Sequence, residues 1–342
     1  MSERKNEPLM LVAAGVGALL AAGALANRRR VYDLRNKTVL ITGGSRGLGL
    51  VMARKFVDEG ARVAIAARDP RELERARLDL ERRGARVIAV PCDVTDRAQV
   101  DEMVRLVEDG YGRIDVLVNN AGVIQVGPVE VMTLEDYEEA MKTHFWGPLY
   151  ATMAVLPEMR KRREGRIVNI SSIGGKIGVP HLVPYSASKF ALVGFSSALR
   201  TELAKDGIMV TTVCPGLMRT GSPRNATFKG QHQAEYAWFS ISDALPVTAI
   251  GAERAARQIV NACRRGEAEV ILSMQAVLAV KFQALFPELT SDLLGLVNKL
   301  LLPAPGGIGK RRAKGKDSES KLSPSVLTAL SDRAAVRNNQ MN

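Results

Sequence analysis

The sequence predicts a doubly wound α/β domain built on a parallel β-sheet. From residue 37 onward, short apolar runs alternate with helical stretches, each run precedes a helix, and a glycine-rich turn follows the first run. Strands that alternate with helices in this way are joined by right-handed crossovers and lie parallel in one sheet. Hydrophobic residues make up 46% of the 342 residues and charged residues 25%, which excludes a mostly disordered chain.

The predicted α/β domain covers residues 34–273. Its strands are expected at 38–41, 62–66, 86–90, 114–118, 165–170, 209–214 and 270–272. Its helices are expected at 48–59, 70–83, 97–109, 134–163, 186–205 and 252–265. Residues 220–245 interrupt the alternation, so we expect them to form a loop-rich or short-helical segment that caps a pocket with Tyr236, Trp238 and Phe239.

The net charge of +12 lies largely at the two ends of the chain. Arginines occupy positions 28–30, and a basic cluster occupies 310–316, but no zinc-finger spacing or aromatic RNA-binding motif accompanies them. This pattern argues against nucleic-acid binding. The three cysteines form no CxxC pair, so the sequence predicts no metal site and no disulfide framework, and it fits a reducing compartment.

The N-terminal segment, residues 1–30, contains an uninterrupted apolar run from 9 to 26. As a helix, this run would span roughly 27 Å, which just crosses a bilayer core. The arginines after it would keep the following domain in the cytoplasm. The run therefore predicts a membrane anchor, and two alternatives stay open: a cleaved signal peptide ending near Ala26, and an Ala-rich helix packed on the protein itself.

The C-terminal region divides into two parts. Residues 274–303 are strongly apolar in near-helical spacing and predict a helical extension that could rest on a membrane. Residues 304–342 turn polar and basic, so we expect a disordered tail apart from a short helix begun by Ser323 and Pro324. The basic cluster at 310–316 would meet anionic lipid headgroups.

The glycine-rich turn has the features of a phosphate cradle. The run from Thr42 to Gly49 follows a predicted strand and precedes a predicted helix. Glycines let the backbone turn tightly and approach a pyrophosphate, whose charge then lies against the free N–H groups of the helix N-terminus. The turn therefore predicts a Rossmann-type dinucleotide site.

Further motifs follow the glycine-rich turn in a fixed order: Asp93-Val94, Asn119-Asn120-Ala121-Gly122, Asn169-Ile170-Ser171-Ser172, Tyr185-Ser186-Ala187-Ser188-Lys189, and Pro215-Gly216 with Thr220. Across residues 37–220, this order resembles the classical short-chain dehydrogenase/reductase family. The resemblance implies a nicotinamide cofactor held by Gly43, Ser45, Arg46, Gly47, Leu48, Gly49, Asp93, Val94, Asn119, Ala121, Gly122, Tyr185, Lys189, Pro215, Gly216 and Thr220. Asp93 and Val94 would border the adenine, Asn119 would support the cofactor side of the sheet, and the last three would flank the nicotinamide. Members of the family form homo-oligomers, which the resemblance allows here too.

The choice of cofactor depends on the end of the second strand. The resemblance places Ala67 where an NAD enzyme carries an acidic residue, and Arg68 follows it. Together with Arg46, Arg68 could pair with a 2′-phosphate, so NADP is favoured over NAD. The alternative is that both arginines are solvated and that Asp69 binds the ribose instead.

Ser172, Tyr185 and Lys189 are the predicted catalytic residues. Tyr185 and Lys189 are four residues apart on a predicted helix, which places them on one face. A nearby ammonium is expected to lower the pKa of Tyr185, so that it can act as acid or base. Ser172 precedes Tyr185 by the separation that the family shows, and it would hold the substrate oxygen.

His144 departs from the family pattern. The resemblance places it where an Asn usually holds a water in a proton relay toward the lysine. An imidazole can donate and accept, so His144 could hold the same water. Alternatively, it is a buried His satisfied within its helix, with the relay rebuilt otherwise.

Together these residues predict an NADP(H)-dependent oxidoreductase that interconverts a carbonyl and an alcohol. The apolar and aromatic residues of 220–302 favour a lipophilic substrate. The alternative from another class is a non-catalytic NADP-binding scaffold at a membrane, which His144 and the apolar and basic chain ends suggest.

Overall fold

A seven-stranded parallel sheet forms the centre of the computed structural model, in the order β3-β2-β1-β4-β6-β7-β11. Residue 15 and residues 31–245, 249–320, 323–325 and 328–341 are described. The strands of the large sheet are β1 (Thr38–Thr42), β2 (Arg62–Ala67), β3 (Val87–Pro91), β4 (Val116–Asn119), β6 (Gly165–Ile170), β7 (Ile208–Pro215) and β11 (Glu269–Leu272). The predicted doubly wound α/β class is confirmed.

Helices cover both faces of this sheet. They are α1 (Gly47–Asp58), α2 (Pro70–Glu81), α3 (Arg97–Tyr111), α4 (Leu134–Met141), α5 (Gly147–Arg162), α6 (Val183–Leu203), α7 (His232–Ala244), α8 (Ala252–Arg265), α9 (Met274–Leu285), α10 (Pro287–Leu301) and α11 (Ala329–Arg337). One apolar core lies between the sheet and α1, α2 and α8, and a second lies between the sheet and α3, α5 and α6. Strands covered on both faces read as continuous apolar runs, which explains β1 and β2.

The helix predicted at 134–163 contains a π-helical turn, Lys142–Trp146, between α4 and α5. The extra residue of such a turn shifts the helical register locally, and π-turns are frequent at functional sites. His144 lies on this turn and is 1% exposed. The interruption leaves no trace in the apolar spacing, so the sequence prediction missed it.

The segment predicted to be loop-rich, residues 220–245, contains α7 and the short strand β9 (Thr227–Phe228). Two further short strands, β8 (Leu217–Arg219) and β10 (Ala249–Gly251), flank it. β8 pairs with β10, while β9 pairs with β5 (Gln125–Val126) and β12 (Ala313–Lys314). Tyr236 and Phe239 pack with Phe228 in a third apolar core. These aromatic rings therefore fill a core and do not line a pocket, contrary to expectation. Short 3₁₀ turns occur at Val129–Val131, Ile173–Gly175, Ala204–Asp206, Ser222–Asn225 and Gly315–Asp317.

The predicted helical extension at 274–303 corresponds to α9 and α10, which expose many large apolar side chains. The expectation of a disordered tail at 304–342 was wrong for most of its residues. Arg312 forms ion pairs with Asp136 and Glu139, 2.7 and 2.8 Å long, and α11 buries Ala334 and Ala335. These long-range contacts stabilise a segment whose composition alone favours disorder.

The predicted anchor at 9–26, like almost all of residues 1–30, lies outside the described residues. Within the part of the chain that the structure describes, none of the helices combines the length and apolar character needed to cross a bilayer.

Candidate active site

A cleft of about 430 Å³ lies at the carboxyl ends of the sheet strands. Ligands of doubly wound folds bind at this edge of the sheet. Of the residues predicted from the sequence, the cleft is lined by Gly43, Ser45, Arg46, Gly47, Leu48, Gly49, Arg68, Asp93, Val94, Ala121, Gly122, His144, Ser172, Tyr185, Lys189, Pro215, Gly216 and Thr220. The fold thus brings motifs that are far apart in the sequence together in one cleft.

The glycine-rich loop fits a dinucleotide phosphate. A Cβ on Gly49 would collide with the carbonyl oxygen of Gly43, and one on Gly43 would lie 2.8 Å from the Cα of Ala121. Among the described residues, the N–H groups of Leu48 and Gly49 have no hydrogen-bond partner. Two free donors at a helix N-terminus, with no side chain in front of them, form a ready anion site.

Asn119 is the one predicted cofactor residue outside the cleft lining. It is buried below the cleft, where its Nδ2 donates to Oδ1 of Asn169 at 2.8 Å. Its neighbour Asn120, which the sequence analysis did not single out, donates to the carbonyl oxygens of Thr42 and Gly43 at 3.1 and 3.0 Å. The bonds of Asn120 tie the loop after β4 to the glycine-rich loop and hold the cradle in shape, while the bond of Asn119 joins β4 to β6.

The adenosine end of the cleft, as we name residues 46, 67–69 and 72, is rich in paired charges. Arg46 donates to Glu72 at 2.6 Å and to Asn225 at 3.1 Å. Asp69 is the N-cap of α2, since its carboxylate accepts from the backbone N–H groups of Arg71 and Glu72. Both bonds are accepted by Oδ1, and Asp69 also lines the cleft, so capping does not decide whether Asp69 binds a ribose.

Two residues of the C-terminal segment, Lys314 and Gln340, also line the cleft. Burial lowers the pKa of Lys314, Glu139 raises it, and the charges of Arg68 and Arg46 lower it further. Three cations are therefore near one another at this end. The expectation that Lys314 meets a lipid headgroup did not include this position, because no local pattern reveals which distant surface a polar segment contacts.

Ser172, Tyr185 and Lys189 meet at the opposite end of the cleft, which we name the catalytic end. Ser172 follows β6, while Tyr185 and Lys189 lie one turn apart on α6. The Ser172 Oγ accepts from the Gly174 N–H at 3.0 Å, which leaves its hydroxyl proton free to donate. The Lys189 Nζ donates to the carbonyl oxygen of Ile170 at 2.9 Å and lies 5.6 Å from the centre of the Tyr185 ring.

The expectation that Lys189 lowers the pKa of Tyr185 was wrong for this arrangement. Burial raises the pKa of Tyr185 to about 12, and the hydrogen bond with Ser172 offsets only part of that rise. Burial also lowers the pKa of Lys189 to about 7. A lysine that is only partly charged near neutrality, and that points at a carbonyl oxygen, stabilises a phenolate weakly.

His144 has both ring nitrogens engaged by protein groups. Its Nε2 accepts from the Val123 N–H at 3.1 Å, and its Nδ1 lies 2.8 Å from Oγ of Ser188. The Ser188 hydroxyl donates to the Tyr185 carbonyl oxygen, so Nδ1 is the protonated nitrogen. Burial, aided by the charge of Lys189, lowers the pKa of His144 well below its usual value. This geometry fits the interpretation of a neutral, satisfied His that packs edge-on against the Tyr185 ring at 5.4 Å.

Asp243 is a buried acid that sequence reasoning missed. It lies on α7, and its Oδ1 accepts from the Met218 N–H at 2.9 Å, while its Oδ2 has no partner among the described residues. Burial raises its pKa to about 7, and its charge contributes to raising the pKa of Tyr185. No sequence motif marks this residue, because its importance comes from the folding of α7 onto the catalytic end.

Comparisons with known proteins agree with this geometry. The family model described as short chain dehydrogenase matches residues 37–229. An Anopheles gambiae "Dehydrogenase/reductase SDR family protein 7-like" is 38% identical over 73% of this chain and 78% of its own. A putative ketoacyl reductase of Streptomyces coelicolor is 41% identical over 54% of this chain and 72% of its own.

A similar solved structure is that of an actinorhodin polyketide ketoreductase variant with NADPH. It superposes with a TM-score of 0.62 at 32% identity, covering 69% of this chain and 95% of its own. The match over residues 37–229 includes the glycine-rich loop, Ser172, Tyr185 and Lys189. The chain therefore belongs to the short-chain dehydrogenase family, whose members bind nicotinamide cofactors and act as oxidoreductases.

Proposed function

We propose that this protein reduces the carbonyl group of a lipophilic substrate to an alcohol, with NADPH as the cofactor. The observation that carries the proposal is the placement of Ser172, Tyr185 and Lys189 in the same cleft as the glycine-rich loop. When bound, a reduced nicotinamide supplies a hydride to the substrate carbon. The remaining task for the protein is to deliver a proton to the substrate oxygen.

Tyr185 is suited to that proton transfer. A pKa of about 12 keeps its hydroxyl protonated at neutral pH, so it can donate as negative charge develops on the substrate oxygen. The Ser172 hydroxyl would donate a hydrogen bond to the same oxygen. Lys189, with a pKa of about 7, can both release and take up a proton at Nζ and would return one to Tyr185.

Charge at the adenosine end supports NADP over NAD. Ala67, at the end of the second strand, offers no carboxylate to a ribose hydroxyl. Arg68 lines the cleft, with Arg46 and Lys314 nearby. Guanidinium groups pair well with phosphate through charge-assisted hydrogen bonds. The related actinorhodin ketoreductase structure contains NADPH, which is consistent with this choice.

The apolar part of the cleft supports a lipophilic substrate. Val123, Ile124, Met218 and Ala226 line it together with the catalytic residues. Apolar walls with a few convergent polar groups are typical of small-molecule sites. Relatives named as ketoacyl reductases fit a substrate with an acyl chain.

We further propose that α9 and α10 rest on a lipid bilayer. Their exposed apolar side chains are Met274, Leu278, Phe282, Leu285, Phe286, Leu289, Leu293, Leu296, Val297, Leu300 and Leu301. A patch of this size marks an interaction surface. The apolar run at 9–26 in the same chain favours lipid as the occupant over a second copy of the protein.

Vesicle sedimentation tests this attachment. The full-length protein should pellet with liposomes, and deletion of residues 1–30 combined with Leu285→Glu and Leu300→Glu should release it. The control is Leu134→Glu, which changes an exposed leucine on α4. A full-length protein that stays in the supernatant at low salt, or that forms a stable dimer through α9 and α10 instead, would contradict the membrane proposal.

The carbonyl reductase proposal is tested by a substrate screen. Purified protein is mixed with NADPH or NADH and with ketones and aldehydes of graded chain length, and the nicotinamide absorbance is followed. We expect consumption of NADPH that grows with chain length and exceeds consumption of NADH at least tenfold, a difference of about 1.4 kcal/mol. No consumption with any carbonyl, or faster consumption of NADH, would contradict the proposal.

A further inference from the structure

The last residues of the chain lie across the glycine-rich loop. We name residues 337–341 the C-terminal strap. The Gly47 N–H donates to the carbonyl oxygen of Asn338 at 2.8 Å. The side-chain amide of Asn339 donates to the carbonyl oxygens of Ser45 and Glu72 at 2.9 and 3.0 Å. The strap is thus bonded to both sides of the turn that begins α1.

The strap is anchored by buried contacts and is not a loose end. Arg54 of α1 donates to the carbonyl oxygen of Arg337 at 2.9 Å. A Cβ on Gly221 would collide with Ala335, so the absence of a side chain there lets α11 pack closely. Asn338 and Gln340 are only 5% and 6% exposed. The buried hydrogen bonds of the strap backbone hold this segment in one arrangement.

Gln340 is the strap residue that faces the cleft. Its Oε1 accepts from the Asn225 Nδ2 at 2.5 Å, which leaves its Nε2 hydrogens for another partner. Among the described residues, Nε2 has no hydrogen-bond partner. A Cβ placed on Gly47 would lie 2.5 Å from this Nε2, so the amide occupies the space above the loop that the glycine leaves open.

The strap forms a wall of the cleft and does not fill it. The cleft of about 430 Å³ persists with Gln340 in its lining. The strap uses the Gly47 N–H but leaves those of Leu48 and Gly49 free. A free side-chain amide therefore lies beside two free backbone donors, and an anion is the partner that all three can share.

We propose that the C-terminal strap is part of the dinucleotide site and that the Gln340 amide donates to a phosphate group of the bound cofactor, retaining it in the cleft. This inference rests on the proposed function only in taking the ligand to be a nicotinamide dinucleotide. Asn225, which holds the Gln340 side chain, also contacts Arg46. The strap therefore links the glycine-rich loop to the 3₁₀ turn Ser222–Asn225.

The test measures NADPH binding directly, by fluorescence titration for Kd and by stopped-flow displacement for the dissociation rate. Gln340→Ala should raise both by about tenfold, since it removes one hydrogen bond to a charged group. Gln340→Glu should raise them further, because a carboxylate repels phosphate. Val336→Ala, which changes an exposed residue of α11 just before the strap, should stay within twofold of the wild type.

The outcomes separate this inference from the proposed function. Equal NADPH affinity in wild type, Gln340→Ala and Gln340→Glu would show that the strap only packs, and tighter binding in Gln340→Ala would show that it obstructs the cleft. Either result overturns the inference while leaving cofactor binding intact. A wild-type protein that binds neither NADPH nor NADH would overturn the proposed function together with it. Thermal unfolding without cofactor checks that each variant folds.

Discussion

The catalytic end and the adenosine end of the cleft differ in the kind of charged group they contain. At the catalytic end, Lys189 and Asp243 are buried, and burial brings the pKa of each to about 7. At the adenosine end, Arg68 is exposed and Arg46 is paired with Glu72. Proton transfer needs groups whose protonation changes near neutral pH, whereas anion binding needs a charge that is always present. Desolvation therefore sets the protonation states at the catalytic end, whereas permanent positive charges favour anion binding at the adenosine end.

The largest effect is expected from Tyr185→Phe, which tests the catalytic end alone. Removal of the transferable proton should lower kcat by about a thousandfold, within the range of general acid catalysis. NADPH affinity should change less than twofold, because the ring remains and the adenosine end is untouched. Steady-state kinetics and fluorescence titration measure the two quantities. Retained turnover within a few-fold would remove Tyr185 from the proton-donor role.

Arg68→Ala tests the adenosine end alone. We expect the Kd for NADPH to rise about tenfold, or roughly 1.4 kcal/mol, with little change for NADH, because only NADPH carries the 2′-phosphate. The kcat at saturating NADPH should stay near that of wild type. Arg71→Ala is the matched control, since Arg71 is exposed on α2 outside the cleft lining. An equal loss of affinity for both cofactors would contradict the distinction between the two ends.

His144→Ala sharpens the comparison, because it separates a positioning role from a proton relay. Removal of the imidazole leaves the Val123 N–H without its acceptor and removes the ring that packs against Tyr185. We expect kcat to fall only about threefold, with a stability loss of about 2 kcal/mol and an unchanged pH profile. His144→Asn should recover part of the lost kcat and part of the lost stability. A fall greater than about tenfold with a displaced pH profile would support the relay instead.

Asp243→Asn has the smallest expected effect on activity and a distinctive effect on stability. The folded protein raises the pKa of the Asp243 carboxyl from 3.8 to about 7. Because ionisation is therefore less favourable in the folded state than in the unfolded state, the wild type loses stability as the pH rises from about 4 to about 7. The Asn variant cannot ionise. Its free energy of unfolding should exceed that of wild type by about 4 kcal/mol above pH 7, and the difference should shrink toward about pH 4. Denaturant unfolding at several pH values measures it, and a difference that does not vary with pH would exclude Asp243 as the source.

The sequence predicted the parts of the site that are local. The turn from Gly43 to Gly49, the strand ends and the one-turn spacing of Tyr185 and Lys189 are patterns over a few residues, and the fold places them as expected. The strap, Lys314 and Asp243 could not be predicted. Their positions depend on contacts between residues far apart in the sequence, such as Arg54 with Arg337 and Lys314 with Thr227. A polar segment carries no periodic signal for the surface on which it docks.

The pKa values of Tyr185 and Lys189 also could not be predicted from the sequence. Spacing placed Lys189 beside Tyr185, but the direction of the Tyr185 shift depends on how deeply both are buried and on where the ammonium points. Burial opposes charge on both groups, and that effect exceeded the attraction between them. A motif therefore identifies the reacting groups before it identifies their protonation states.

The most direct test of the account is the transfer of label from NADPH carrying deuterium at the transferred position of nicotinamide C4. The carbonyl substrate found in the screen is reduced in ordinary water, and the alcohol is analysed by mass spectrometry and NMR. We predict one deuterium on the former carbonyl carbon of the product, with the hydroxyl proton drawn from Tyr185 and solvent. An unlabelled product carbon, or no product with any carbonyl, would contradict hydride transfer in this cleft.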